Sequence, residues 1–180
     1  VYFGGGTPTS LEASDLERIM KTVAECFDTR HLREYTVEAG RPDTVTLEKL
    51  NVIKDNGGDR ISVNPQTIHN SVLKEIGRAH TAEQFFESYN LAKTIGYKAV
   101  NVDLIAGLPT DTYDGFKETV ESIIALQPEN ITIHALSIKR ASDLMLTRQE
   151  SCDELAESMI KYATERLFGC LLYTSPSPRD

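Results

Sequence analysis

The feature that most limits the folds open to this chain is a repeated alternation. Short β-favouring runs are each followed by segments of helical periodicity, and successive runs begin mostly about 30 residues apart. The runs fall at residues 1–3, 32–39, 60–63, 99–105 and 130–138, and the helical segments at 14–27, 46–55, 70–76, 81–95, 112–126 and 153–168. Alternation of this kind implies right-handed crossovers and a parallel sheet, hence an α/β fold. A doubly wound sheet and a (β/α) barrel share the pattern, and periodicity does not separate them.

With 180 residues, 40% of them hydrophobic, the chain can bury one substantial core, and one domain is expected. A net charge of -8 argues against a nucleic-acid partner, whose phosphates would be repelled. No apolar run approaches the roughly 20 residues of a membrane helix. Cys26, Cys152 and Cys170 are odd in number and far apart, so they are neither a disulfide framework nor a metal-ligand spacing. A cytoplasmic protein is expected. The strand pattern under way at Val1, with no initiator Met, reads as a chain whose beginning lies upstream. Residues 170–180 break from the helix before them and resemble a translated sequencing-library adapter, so they are set aside as non-native.

Local signals place several boundaries. Ser14 is expected to cap the first helix, whose apolar stripe is Leu16, Ile19, Met20, Val23 and Phe27, with Cys26 buried beside it. Thr46 caps the second, and Thr81 with Gln84 forms a capping box for a helix that Gly96 ends.

Ligands of parallel α/β folds gather at the carboxyl ends of the strands. Gly4, Gly5, Gly6 and Thr7 stand there first, in a loop whose glycine amides have no Cβ to keep an anionic or zwitterionic group away. Glu38 with Arg41 follows, then Gln66, then Asp103 with Gly107, then Ser137 with Lys139 and Arg140. Each also has a plainer role. The glycines make a tight turn, Glu38 pairs with Arg41 or is solvated, and Asp103, interrupting Val100, Val102, Leu104 and Ile105, pairs with a buried cation. Arg78 neutralises a carboxylate or solvates a helix entry, and His80 and His134 are lone histidines without a metal partner.

Five ordered segments carry a resemblance: residues 3–11 (FGGGTPTSL), 36–43 (TVEAGRPD), 60–67 (RISVNPQT), 76–81 (IGRAHT) and 101–109 (NVDLIAGLP). Together they resemble the radical S-adenosylmethionine (SAM) enzymes of the oxygen-independent coproporphyrinogen III oxidase type. Residues 36–43 and 136–140 (LSIKR) are most similar to the coproporphyrinogen dehydrogenase-like branch. The resemblance implies a partial (β/α)6 TIM-like barrel, truncated by its first strand. Residues 1–140 would form the core with strands 2 to 6, and 141–169 an amphipathic helical segment. It also implies SAM, a 4Fe-4S cluster, a porphyrinogen or haem ligand and an electron donor. By motif position, Gly5, Gly6 and Thr7 contact the methionine end of SAM, Glu38 contacts SAM, Gln66, Arg78 and Asp103 line its site, and Ser137 makes a backbone contact.

The implied activity is reductive cleavage of SAM to a 5′-deoxyadenosyl radical that attacks a propionate side chain and leads to its decarboxylation. A related haem-transfer protein without oxidase activity is the alternative. The chain departs from the family in having no CxxxCxxC loop, whose three thiolates leave one iron open for SAM. The loop is expected upstream of Val1, so this stretch alone is expected to be inactive. Arg41, Lys139 and Arg140 are expected to meet substrate carboxylates. Lys139→Ala and Arg140→Ala should therefore weaken porphyrinogen binding by the full-length protein in a fluorescence titration.

Overall fold

In the computed structural model, residues 1–136 and 146–169 are described, the side chains of 146–153 excepted. The strands are β1 (Tyr2–Phe3), β2 (Thr36–Glu38), β3 (Arg60–Ser62), β4 (Ala99–Ala106) and β5 (Asn130–Ala135). Between them lie α1 (Ala13–Cys26), α2 (Leu47–Asp55), α3 (Asn70–Glu75), α4 (Ala82–Ile95) and α5 (Tyr113–Ala125), and α6 (Leu146–Gly169) follows β5. The strands form one parallel sheet in the order β1-β2-β3-β4-β5. Register sets Phe3 opposite Val37, Val37 opposite Ile61 and Ile61 opposite Val100. Each strand neighbours the next in sequence. A doubly wound sheet must reverse its winding at a switch point, so this order is that of (β/α)-barrel strands.

The chain divides into two compact units. The first comprises Val1–Pro65 and His80–Val102. Its core takes Leu16 and Met20 from α1, Leu50 and Ile53 from α2, and Phe85, Tyr89 and Ala92 from α4, all buried. Their spacing of three or four residues puts them on one face of each helix, against Val37, Ile61 and Val100 of the sheet. Fully burying each large side chain contributes roughly 1.5–3 kcal/mol. Buried Tyr97 donates its hydroxyl to Leu50 O at 2.6 Å, and burial holds this phenol above its ordinary range.

Capping follows the sequence at α4, where Thr81 N donates to Gln84 Oε1 at 2.9 Å and Gln84 N to Thr81 Oγ1 at 3.4 Å. Gly96 ends that helix at φ 81°. Thr46 Oγ1 likewise accepts from Lys49 N.

Four expectations are corrected. Ser14 does not cap α1: Glu12 is the N-cap, its carbonyl already accepting from Asp15 and Leu16, and Ser14 lies exposed inside the first turn. Cys26 is exposed, because the buried face of α1 is Ala13, Leu16 and Met20 and the last turn rotates away from it. Phe27 is extended and 67% exposed, so it leaves the stripe as well. The run 32–39 narrows to Thr36–Glu38, since the amide of Tyr35 is taken by the Asp59 side chain at 2.8 Å.

The second unit comprises Gln66–Ala79 and Asp103–Asp180. Phe116, Val120 and Ile123 of α5 and Met159, Ala163 and Leu167 of α6 are buried, with Leu104 and Ile131 from the strands. Helices α5 and α6 are also joined by charge. Glu121 accepts from Arg166 Nε and Nη2 at 2.5 and 2.6 Å and from the Tyr162 hydroxyl at 2.6 Å. The Arg166 bonds, and after them the Tyr162 bond, lower the Glu121 carboxyl from 4.5 to about 2.

A depressed carboxyl stabilises the fold at pH above its unfolded value and loses that contribution as pH falls through the folded one. Both side chains are more than 40% exposed, so solvent screening keeps the contribution small. Glu121→Gln should cost about 1 kcal/mol or less at neutral pH and flatten the acid limb of the stability curve between about pH 4.5 and 2, read by urea unfolding across pH.

Candidate functional site

In the first unit, the ends of β1 and β2 carry the glycine loop and Glu38. Two of the three adjacent glycines are needed there, for different reasons. A Cβ on Gly4 would come within 2.6 Å of the Tyr2 ring and 2.7 Å of the Glu38 carboxylate, so only glycine lets Glu38 reach over the loop. Gly5 has φ +95°, which L side chains rarely adopt. Gly6 faces open space. The amides of Gly5 and Gly6 bond no backbone carbonyl and are exposed with their residues. Thr7 begins a 3₁₀ turn at Pro8–Ser10, and its carbonyl accepts from Ser10 N at 2.8 Å.

The loop is anchored from behind. Lys49 Nζ on α2 donates to Thr9 O at 2.8 Å and to Thr44 O at 3.4 Å, and the Thr9 and Thr44 hydroxyls lie 2.7 Å apart. The loops after β1 and β2 are thus tied to each other. Glu38 accepts a hydrogen bond from the Tyr2 hydroxyl. Arg41 pairs with Asp43 at 2.9 Å, which accounts for the cation that sequence had offered as a partner for Glu38. The sequence placed Gly4 in the glycine run and Tyr2 in the strand before it, and their approach to Glu38 is tertiary.

In the second unit, Gln66 is the most informative residue. It has φ +67°, a left-handed backbone that costs a non-glycine residue about 1–3 kcal/mol. Its main chain is fixed by Gln66 N donating to Asp103 O at 3.2 Å and Ile105 N donating to Gln66 O at 3.1 Å. The residue is 6% exposed and its side-chain Oε1 is buried without a partner. Local strain together with an orphaned acceptor marks a residue held for something other than stability.

Asp103 sits beside Gln66 through that pairing. Burial alternates along β4, with Val100, Val102, Leu104 and Ala106 fully buried and Asn101, Asp103 and Ile105 less so. The expectation that Asp103 interrupts a strand buried on both faces is therefore corrected: it belongs to the more open face. His134 Nε2 of β5 is 3.9 Å from Asp103 Oδ2. Asn101 shares the open face two residues earlier, and its Oδ1 is buried without a partner. Its place in the run AVNVDLI, at the same parity as Asp103, was the available signal.

Arg78 follows Gly77, whose φ of 71° turns the chain out of α3, and Arg78 N donates to Leu73 O at 2.9 Å. Its half-buried guanidinium has no bonded partner among the described residues. Ser137, Lys139 and Arg140 lie outside the described residues. Among those described, no group of three His, Cys, Asp or Glu side chains could hold a metal ion. An iron-sulfur cluster therefore does not fit these residues. Parts of SAM do fit, unit by unit: in the first, open glycine amides with a carboxylate above them suit an amino-acid end, and in the second an orphaned amide oxygen suits a hydroxyl donor.

Comparison with known proteins agrees in kind. The model of the radical SAM superfamily matches residues 1–123. The chain is 40% identical over 173 residues to the oxygen-independent coproporphyrinogen-III oxidase-like protein HemZ of Bacillus subtilis, covering 92% of this chain and 34% of that protein. It is 37% identical over 139 residues to the heme chaperone HemW of Lactococcus lactis, covering 77% of this chain and 36% of that protein. In structure it resembles the coproporphyrinogen III oxidase of Escherichia coli with a TM-score of 0.79 at 24% identity, over 94% of this chain and 40% of the other. The chain thus spans about a third of the length of the curated relatives it matches.

The strain at Gln66 generates a direct expectation. Gln66→Gly should raise stability by about 1 kcal/mol in urea denaturation, because it relieves the backbone and removes a buried unpaired acceptor. An unchanged or lowered stability would show that the side chain is held by packing alone.

Proposed function

The chain belongs to the radical SAM superfamily, and from this we propose that it forms the SAM-holding part of an oxygen-independent coproporphyrinogen oxidase-like enzyme. The observation that carries this reading is Gln66, strained at φ +67° with its Oε1 buried and unpartnered. Gly5, Gly6 and Thr7 bind the carboxylate and amino group of the methionine moiety through main-chain groups, and Glu38 accepts from its ammonium. The Tyr2 hydroxyl orients that carboxylate. Gln66 and Asp103 accept or exchange hydrogen bonds with the ribose or adenine edge, Arg78 offsets ligand carboxylate charge, and Ser137 supplies a main-chain contact. SAM bound there would supply radical chemistry once reduced. The chain's own residues hold and orient it.

In this reading the substrate class is that named for the oxidase relatives, a coproporphyrinogen, with its propionates oxidatively decarboxylated. A second reading has a specific observation behind it, the 37% identity to a heme chaperone. In that case the same fold handles haem without oxidising a porphyrinogen.

The two readings separate on product. Full-length protein, prepared anaerobically and given SAM, a reductant and coproporphyrinogen III, should form a vinyl-bearing porphyrinogen, followed by chromatography of the oxidised porphyrins. Tight haem binding without that product would overturn the oxidase reading. Gln66→Ala should weaken SAM binding about tenfold in equilibrium dialysis, the loss of one well-placed hydrogen bond in a buried site.

A further inference from the structure

At the other end of the strands from the glycine loop, and wholly within the first unit, lies a cavity of about 280 Å³ lined by Arg33, Glu34, Asp59, Arg60, Lys98 and Ala99. These residues sit at the amino-terminal ends of β2, β3 and β4, where main-chain bonds hold them together. Asp59 N and Arg60 N donate to Tyr35 O at 3.1 and 3.2 Å, and Lys98 N donates to Asp59 O at 2.8 Å. The floor is therefore part of the sheet ladder rather than a mobile surface loop.

The charges there are unequal in commitment. Glu34 accepts from the Thr36 hydroxyl at 2.7 Å and from Arg60 Nη1 at 2.6 Å. Asp59 accepts from the Tyr35 amide at 2.8 Å and faces Lys98 Nζ at a loose 3.7 Å. Both carboxylates are thus engaged by the fold. The cations are less so. Arg33 has no bonded partner among the described residues, Arg60 commits only Nη1 while its shielded Nε has no partner, and Lys98 is 72% exposed. Three cations against two carboxylates leave a local positive excess in a chain whose net charge is -8.

We propose that this cavity binds a small oxyanion of the phosphate class, held by Arg33, Arg60 and Lys98. Arg33 and Arg60 offer planar donor forks that match phosphate oxygens, and Lys98 supplies a mobile point charge. At about 280 Å³ the space admits a phosphoryl group with a short attached chain and is too small for a tetrapyrrole. The site is separate from the SAM-binding residues, so its test is independent of the function proposed above.

The test is a titration of the isotope-labelled full chain with inorganic phosphate at constant ionic strength, read by amide shifts, with glycerol phosphate in a parallel arm. Saturable shifts confined to residues 33–34, 59–60 and 98–99 are expected. Arg33→Gln, a change at an exposed side chain, should weaken binding by about tenfold, and Lys98→Gln by a smaller factor. Tighter binding of glycerol phosphate identifies a phosphomonoester as the source of the group, and equal or weaker binding identifies free phosphate. Shifts that never saturate, or an affinity unchanged in both variants, would overturn the proposal.

Discussion

Parallel strands cannot be joined by tight turns, and that constraint governs this molecule. Every strand must run out into a loop and return through a helix, so the chain repeatedly presents irregular backbone at the strand ends. The ladder from Phe3 through Val37 and Ile61 to Val100 fixes which loops are neighbours. Lys49 shows the consequence. One ammonium on α2 reaches carbonyls in the loops after both β1 and β2 because the ladder has brought those loops side by side.

The cost of function is visible where the ladder ends. Gln66 continues the pairing for one isolated bridge to Leu104, and does so in a left-handed conformation. A glycine would adopt it without strain. What glutamine adds is an amide oxygen that the protein itself leaves unused. Asn101 repeats the arrangement on the open face of β4, with a shielded and unpartnered Oδ1. Both acceptors are exceptions to the rule that buried polar groups find partners.

The two ends of the strands carry different chemistry. Carboxyl ends bear glycine amides, Glu38 and Gln66, with Asp103 inside the carboxyl half of β4, and amino ends bear Arg33, Arg60 and Lys98. The separation follows from strand direction, since a parallel sheet keeps all its entries on one side and all its exits on the other. The sheet sets the frame, and the loops decide what is done with it.

Much of this was legible in the amino-acid sequence. Alternating runs specified a parallel α/β fold, capping signals at Thr46, Thr81 and Gly96 set helix ends, and polar residues at strand exits marked Glu38, Gln66 and Asp103, because these depend on local chemistry and period. Choosing barrel winding over a doubly wound sheet required strand order, which no local pattern encodes. Burial at Cys26 and Phe27 was misjudged since a helical stripe does not reveal how far the facing core extends. The roles of Gly4 and Tyr2 around Glu38, the strain at Gln66 and the His134–Asp103 contact arise from residues far apart in sequence. The sequence by itself determined the elements and which residues would stand at their ends. Only the tertiary structure decided which of those residues meet, because meeting depends on register and on the space a missing Cβ leaves.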